Sequence, residues 1–209
     1  MSRELTTTSY AILGLLAIKP WTTYELAQQM DRSLKHYLPR AASRIYEEPK
    51  RLTALGLADA TPERVGKRPR TVYSITAEGR ETLAAWLAEP GGGPVVEFEA
   101  MLKVFFADAG SLDQLATTID AIESGTVERI QDLVGVAESA EDSGFPERRH
   151  ISALAIRLQY LQEAAVLTWT RWARAQIAEW RSTADAGTWD AAAAFAELAT
   201  EARRILDGP

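Results

Sequence analysis

The run Pro90-Gly91-Gly92-Gly93-Pro94 constrains the fold of this chain more than any other feature of its sequence. Three glycines between prolines cannot continue a helix, because glycine is costly to order and proline lacks the backbone N–H that a helix needs. The run also lacks the Gly-Lys-Ser/Thr ending of a phosphate-binding loop. We therefore predict a linker at residues 90–94, between one domain at residues 1–89 and another at residues 95–209.

Charge is divided unequally between the two predicted domains. Residues 1–90 hold 13 Lys and Arg against 10 Asp and Glu, whereas residues 91–209 hold 10 against 19. Within residues 32–70 the count is 10 against 4, although the formal net charge of the whole chain is −6. A local basic surface is what contact with nucleic acid requires, and the acidic domain would be repelled by the same partner.

Several classes of protein are excluded or disfavoured by composition. The chain has no cysteine and only two histidines, His36 and His150, so we expect no disulfide, metal site or cofactor. The apolar stretch from Tyr10 to Ile18 is too short to cross a bilayer, so we expect a cytoplasmic protein that does not bind membranes. Neither a nucleophile elbow nor a dinucleotide glycine fingerprint is present, and we expect no enzyme activity.

In the first domain, hydrophobic periodicity and caps predict the order helix, helix, helix, hairpin, helix. The predicted helices cover about residues 7–17, 22–30 and 40–56, the strands cover 57–60 and 72–75, and Thr76 caps a fourth helix. Thr22 and Glu25 form a capping-box pattern at the start of the second helix. Pro49 interrupts the third helix, so we predict either a kinked helix or two short abutting helices there.

After the linker, the sequence is helical throughout. Ser111 and Gln114 form a second capping-box pattern, and further helices are predicted over about residues 148–181 and 189–206. The predicted fold class is therefore mainly α with a small β wing. It combines an N-terminal winged helix-turn-helix with a C-terminal antiparallel helical dimerisation domain.

The winged helix-turn-helix pattern predicts contact with double-stranded DNA. The major groove accommodates one α-helix, whose exposed side chains reach base edges, and the flanking phosphates attract nearby cations. The candidate recognition helix presents one group of side chains away from its core face: Arg40, Ser43, Arg44, Glu47 and Arg51, with Tyr46 and Lys50 at the edge. The loop of the hairpin presents four cations: Arg64, Lys67, Arg68 and Arg70.

At these positions the sequence resembles the PadR family of bacterial transcriptional regulators. The resembling segments are SYAILGLL at 9–16, YEL at 24–26, IY at 45–46, KRL at 50–52, LGL at 55–57 and YSITAEG at 73–79. FEAMLK at 98–103 resembles the opening of the longer C-terminal domain in a virulence-activator-like subfamily. The chain departs from the family pattern at Thr23, where glycine is usual, and at Pro49, where many relatives have a helix former.

The resemblance implies a homodimer that binds a palindromic operator, often under control of a small molecule. It also implies DNA contacts for Tyr24 and Tyr46. For the dimer, the candidate interface is a coiled-coil-like seam in the long C-terminal helix: Leu154, Leu158, Leu161 and Ala165. Trp169, Trp172 and Trp180 lie near one predicted helical face, where they either pack in a core or interface or form a pocket for a flat apolar effector.

Two other functions remain compatible with the sequence. One is a winged-helix module that binds a protein and no DNA, and the other is a protein that chiefly binds a small molecule. A steep loss of DNA affinity with salt, together with preference for one sequence, would favour the DNA-binding regulator. We expect a repressor, although the sequence itself gives neither the sign of regulation nor the operator nor the effector.

Overall fold

The computed structural model describes residues 4–39, 44–65, 68–139 and 144–208. The chain forms two compact units, residues Met1–Pro94 and Val95–Pro209. The first unit contains three α-helices before a hairpin and one after it, and the second is helical. Among the described residues, no helix combines the length and the hydropathy needed to cross a bilayer.

The first two helices of the N-terminal unit begin at hydroxyl caps. Helix α1 spans Thr7–Ile18, and its Thr6 cap forms a capping box with Ser9. Helix α2 spans Thr23–Ser33 after the predicted capping box of Thr22 and Glu25. These caps satisfy backbone N–H groups that have no partner inside the helix. Apolar residues of both helices are buried in the core: Ile12, Leu15, Leu16, Leu26 and Met30.

The third helix is much shorter than predicted. Helix α3 spans Glu48–Ala54, and Arg44 to Glu47 form hydrogen-bonded turns rather than helix. Pro49 explains the correction. It occupies the first turn of α3, where its missing N–H and fixed φ are tolerated, whereas an interior position would disrupt the helix. Ile45 in this turn and Leu52 in α3 are both buried.

The hairpin is longer than predicted. Strand β2 spans Ala58–Val65 and strand β3 spans Arg68–Ile75, so most of the loop predicted at residues 61–70 is strand. The strands are antiparallel, in a register that runs from Ala58 opposite Ile75 to Val65 opposite Arg68. A third strand that the sequence reading missed, β1 at Trp21–Thr22, pairs with the other side of β3. The resulting sheet has the order β1-β3-β2.

Helix α4 closes the first unit at a tight junction with the preceding turn. It spans Ala77–Ala88, and the Thr76 hydroxyl accepts from the Gly79 N–H at 3.0 Å. The same hydroxyl donates to the Gly56 carbonyl at 2.8 Å, and the Thr76 N–H donates to the Leu57 carbonyl at 3.2 Å. A Cβ atom on Gly79 would lie 2.1 Å from the Leu57 oxygen. This position therefore requires glycine because the two backbone segments approach so closely.

The second unit is built around two long helices. Helix α5 spans Glu99–Phe105, α6 spans Leu112–Glu138, α7 spans Arg149–Ile177 and α8 spans Ala191–Leu206, with short 3-10 turns at Ala107–Ala109 and Pro146–Arg148. Ion pairs join Asp120 to Arg174 and Glu163 to Arg129. Residue numbers rise along α6 as they fall along α7, so the two helices are antiparallel. A core of Leu115, Ile119 and Ala173 lies between them.

Candidate nucleic-acid interface

Tyr24 lies on the surface of α2, one residue after the helix begins. Its side chain is 66% exposed, and the Gln28 amide donates to its hydroxyl at 3.0 Å. The capping box fixes this end of the helix, because the Thr22 N–H donates to the Glu25 carboxylate at 2.7 Å. Hydrogen bonds from the Thr22 backbone and side chain, aided by the charges of Lys19 and Arg70, lower the pKa of Glu25.

The turn before α3 presents two of the residues predicted to contact DNA. Tyr46 is 54% exposed, and Arg44 is exposed as well. The Arg44 carbonyl accepts from the N–H groups of Glu47 and Glu48 at 3.2 and 3.0 Å, so it connects this turn to the start of α3. Arg40 and Ser43, which were predicted with them, lie outside the described residues.

Lys50 is an exposed cation in the first turn of α3. Its Nζ lies 2.9 Å from Oε1 of Glu47, and both side chains are mostly in solvent. The hydrogen bond and charge of Glu47 raise the pKa of Lys50, so the amine is held in its charged form. The charge of Lys50, a residue predicted to contact DNA, is therefore already paired in this structure.

Arg51 has a different environment from the one the sequence predicts. Its Nη1 donates to Oε1 of Glu48 at 2.7 Å, and its Nη2 donates to the Glu4 carbonyl at 2.8 Å. Glu48 is buried and also accepts from the Ser9 hydroxyl at 2.6 Å. This cluster of Ser9, Glu48 and Arg51 joins the start of α1 to α3. It indicates a structural role for Arg51 beside the DNA contact that the sequence predicts.

The hairpin forms the predicted wing, and its described cations lie along the strands. Arg70 donates through Nε and Nη2 to Oε2 of Glu63 at 3.1 and 2.7 Å. The two residues are direct partners in the register of β2 and β3. Arg64 is exposed, and Arg68 is the register partner of Val65 at the end of the hairpin. Lys67 lies outside the described residues.

The carboxylates that pair with these cations were not predicted from the sequence. Glu47 was expected only on the exposed helix face, and neither Glu48 nor Glu63 stood out. The spacing of three residues between Glu47 and Lys50 would have indicated one of these pairs, since such residues are neighbours on a helix. Glu63 and Arg70 could be matched only after the hairpin register was known.

In the second unit, the predicted dimer residues share an exposed stripe along α7. Leu154 is 76% exposed, Leu158 and Leu161 are about half exposed, and Ala165 is also exposed. The three tryptophans do not form one cluster, which corrects the predicted common face. Trp169 and Trp180 pack on the core between α6 and α7, whereas Trp172 is 48% exposed and continues the spacing of the stripe. The ring of Trp180 lies 5.5 Å from that of Trp189 instead.

Comparison with known proteins assigns each unit to a described family. The pattern of the transcriptional regulator PadR-like family matches residues 12–85, which begin within α1, end within α4 and include α2, α3 and the wing. The pattern named virulence activator alpha C-term matches residues 98–178, from α5 through α7. The chain therefore combines a PadR-like family domain with a virulence activator alpha C-term domain. The winged-helix fold expected from the sequence is confirmed, together with the resemblance to PadR-like regulators.

Individual members of the PadR-like family resemble the chain over most of its length. The negative transcriptional regulator PadR of Bacillus subtilis is 28% identical over 168 residues, which cover 77% of this chain and 91% of the relative. A probable transcriptional regulator of Mycobacterium tuberculosis is 28% identical over 138 residues, or 61% of this chain and 73% of that protein. The crystal structure of Bacillus subtilis PadR in complex with operator DNA superposes with a TM-score of 0.73 at 25% identity. The superposition covers 82% of this chain and 99% of the PadR chain in that crystal structure. These relatives are regulators rather than enzymes.

Proposed function

We propose that this PadR-like regulator represses transcription as a homodimer that binds a palindromic operator. The observation that carries the proposal is the exposed surface formed by Tyr24, the turn from Arg44 to Tyr46, Lys50 and the wing. This surface combines aromatic hydroxyls and cations on the helix-turn-helix of a family with a DNA-bound structure. Such groups suit phosphate and base contacts.

The two parts of this surface have different roles in the proposal. Arg44 and Tyr46, next to α3, are proposed to reach the major groove, with Arg40 and Ser43 alongside them. Lys50, Arg68, Arg70 and Lys67 are proposed to contact phosphates, and Tyr24 is proposed to contact the backbone from α2. Groove contacts distinguish sequences, whereas phosphate contacts position the protein on any duplex.

Substitution distinguishes these roles. Selection of bound fragments from random DNA would supply an operator, and fluorescence anisotropy would then measure affinity for it and for a scrambled duplex. Arg44→Ala should cost about 1–3 kcal/mol on the operator and relax the preference at one position. Arg68→Ala should weaken both duplexes alike. If Arg44→Ala leaves the preference intact, Arg44 does not read bases.

The homodimer is proposed to form through the α7 stripe defined by Leu154, Leu158, Leu161 and Ala165. An apolar stripe of this length costs free energy in water, and a second copy of the same stripe would bury it. Two subunits would then place their α3 helices in successive major grooves, about 34–36 Å apart. Sedimentation velocity should show a dimer that Leu158→Asp converts to monomer. A monomeric wild-type protein at micromolar concentration would contradict this part.

Repression is proposed because a relative over most of this chain is a negative transcriptional regulator. A reporter gene placed downstream of the selected operator should be silenced when the protein is expressed. The Arg44→Ala variant should restore its expression. Activation of the reporter by the wild-type protein would reverse the proposed sign of regulation.

A small apolar ligand is the proposed signal that releases the operator. Between α5 and the start of α6 lies a groove of about 680 Å³, whose apolar lining includes Leu102, Phe106 and Leu115. Pockets of this size and lining suit small apolar ligands. Leu115 also belongs to the core that Trp169 and Trp180 contact, so occupancy should alter tryptophan fluorescence. A compound that changes fluorescence without changing operator affinity would be a ligand but not an effector.

A further inference from the structure

The surface proposed to contact DNA contains carboxylates that already pair with two of its cations. Lys50 Nζ lies 2.9 Å from the carboxylate of Glu47, and Arg70 Nη2 lies 2.7 Å from that of Glu63. These are two of the cations proposed to contact phosphates, one at the start of α3 and one in the wing. In both cases a carboxylate oxygen occupies the place that a phosphate oxygen would take.

These two pairs differ from the pair of Arg51 and Glu48 in their access to solvent. The side chains of Lys50 and Glu47 are 61% and 76% exposed, and those of Arg70 and Glu63 are 44% and 42% exposed. Exposed ion pairs contribute little stability, so an arriving phosphate can exchange with the carboxylate. The Glu48 side chain is only 9% exposed and is fixed by Ser9 as well, so its pair is not available for exchange.

Exchange leaves a negative charge beside the DNA. Once Lys50 or Arg70 turns to a phosphate, the released carboxylate stays tethered within a few ångströms of the phosphate backbone. Counterion release is also reduced, because the released carboxylate attracts a cation from solution. The net positive charge of this region is small even before exchange, since residues 44–65 and 68–75 contain six Lys and Arg against four Asp and Glu.

We propose that Glu47 and Glu63 are intramolecular phosphate mimics that lower the affinity of this regulator for DNA and flatten its salt dependence. The inference rests on the proposed DNA-binding function. It assigns a role to two residues that are themselves not expected to bind DNA. Both act through a neighbouring cation, and each can be removed without disturbing the buried cluster around Glu48.

The test compares Glu47→Gln, Glu63→Gln and the double variant with the wild-type protein by fluorescence anisotropy across a salt series. Each single variant should bind a duplex about two- to fivefold more tightly, as the strength of exposed ion pairs suggests. The slope of log affinity against log salt should steepen by about 0.9 for each cation released onto a phosphate. Unchanged or weaker binding by both variants would overturn the proposal, because the carboxylates would then be neutral or would position the cations.

A matched control comes from the second unit. Glu99 and Lys103 form an exposed pair at 3.2 Å on α5, so Glu99→Gln removes the same charge from a similar pair. This variant should bind DNA as the wild-type protein does. An equal gain in affinity from Glu99→Gln would mean that net charge alone is responsible, which would overturn the specific role of Glu47 and Glu63.

A second arm tests whether the cation is the intermediary. In an Arg70→Gln background, Glu63→Gln should give a smaller gain, because no cation is released. A gain of the same size would overturn the pairing mechanism. If the wild-type protein binds no duplex at low salt, the proposed function fails. If the wild-type protein binds DNA but the variants do not show the expected gains, the proposed function stands and only the role of Glu47 and Glu63 is wrong.

Discussion

Replacing Arg51 with methionine should destabilise the first unit, because it would leave a buried carboxylate without its cation. Glu48 accepts from Arg51 Nη1 at 2.7 Å and from the Ser9 hydroxyl at 2.6 Å. Removing one partner of a fully buried ion pair typically costs about 3–5 kcal/mol. Arg51 is partly exposed at 27%, and Ser9 would still donate. We therefore expect a loss of about 2–3 kcal/mol in the free energy of unfolding.

Urea denaturation followed by circular dichroism and tryptophan fluorescence measures this loss as a shift in midpoint at an unchanged slope. The double variant Glu48→Gln with Arg51→Met should recover most of it, because a neutral amide keeps a hydrogen bond with Ser9 and needs no cation. The two substitutions are coupled by direct contact, so their effects should not add.

The same variant decides between two roles for Arg51. If Arg51→Met unfolds at the wild-type urea concentration but binds operator weakly, then Arg51 is a phosphate contact, as the sequence alone predicts. If stability falls and the double variant restores both stability and operator affinity, then Arg51 acts by fixing α3 against α1. A full recovery of stability without recovery of affinity would show that it does both.

Two further predictions concern residues that stabilise the fold of the first unit, Gly79 and Glu25. Gly79→Ala should destabilise the protein by about 2 kcal/mol or more, because its Cβ would lie 2.1 Å from the Leu57 oxygen. Gly135→Ala in α6, where a Cβ meets no described atom within 4 Å, should instead stabilise it by about 0.5–1 kcal/mol; equal urea midpoints for the two variants would contradict the steric argument. The lowered pKa of Glu25 means that its ionised form stabilises the fold. This stabilisation is complete above the pKa of Glu25 in the unfolded chain, near 4.5, and is lost as pH falls through the lower pKa in the folded protein. Melting temperatures of Glu25→Gln and the wild-type protein should therefore differ most near neutral pH and converge in acid, and a constant difference would refute the assignment.

Local signals predicted the helix starts well. The hydroxyl and carboxylate spacings at Thr22 and Ser111 depend on neighbouring residues only, and both capping boxes form as expected. The start of α3 was harder, because the apolar spacing continues across Pro49 and left two possibilities open, a kinked helix or two short abutting helices. Ile45 is buried from a turn rather than from a helix, so burial alone could not locate the boundary.

The wing shows why a breaker-rich segment was mistaken for a loop. Pro62 lies in β2, which is an edge strand among the described residues, and Pro69 lies in the central strand β3 beyond the part that pairs with β1. At both positions the only described strand neighbour is on one side. Proline is tolerated at such edge positions because the outward N–H is not needed for pairing. The sequence alone does not show which side of a strand is paired, so the prolines led us to predict strands that are too short.

The sequence predicted the cations of the candidate site but not the carboxylates that pair with them. Clustering of charge along the chain located Lys50 and Arg70. Their carboxylates depend on geometry, and Ser9 and Glu48 are separated by 39 residues. Single-sequence patterns carry no information about such a contact, so the distinction between an exchangeable cation and a structural one required the fold.

Sequence-specific DNA binding by a dimer is tested by the affinity of the purified protein for a selected palindromic duplex and for a scrambled duplex of equal length, measured across a salt series. We predict binding of one dimer per palindrome, a steep loss of affinity with salt on both duplexes, and a preference for the palindrome of at least about a thousandfold at physiological salt. Weak binding that is equal on the two duplexes, or no binding at low salt, would contradict the proposal that this protein is a sequence-specific DNA-binding regulator.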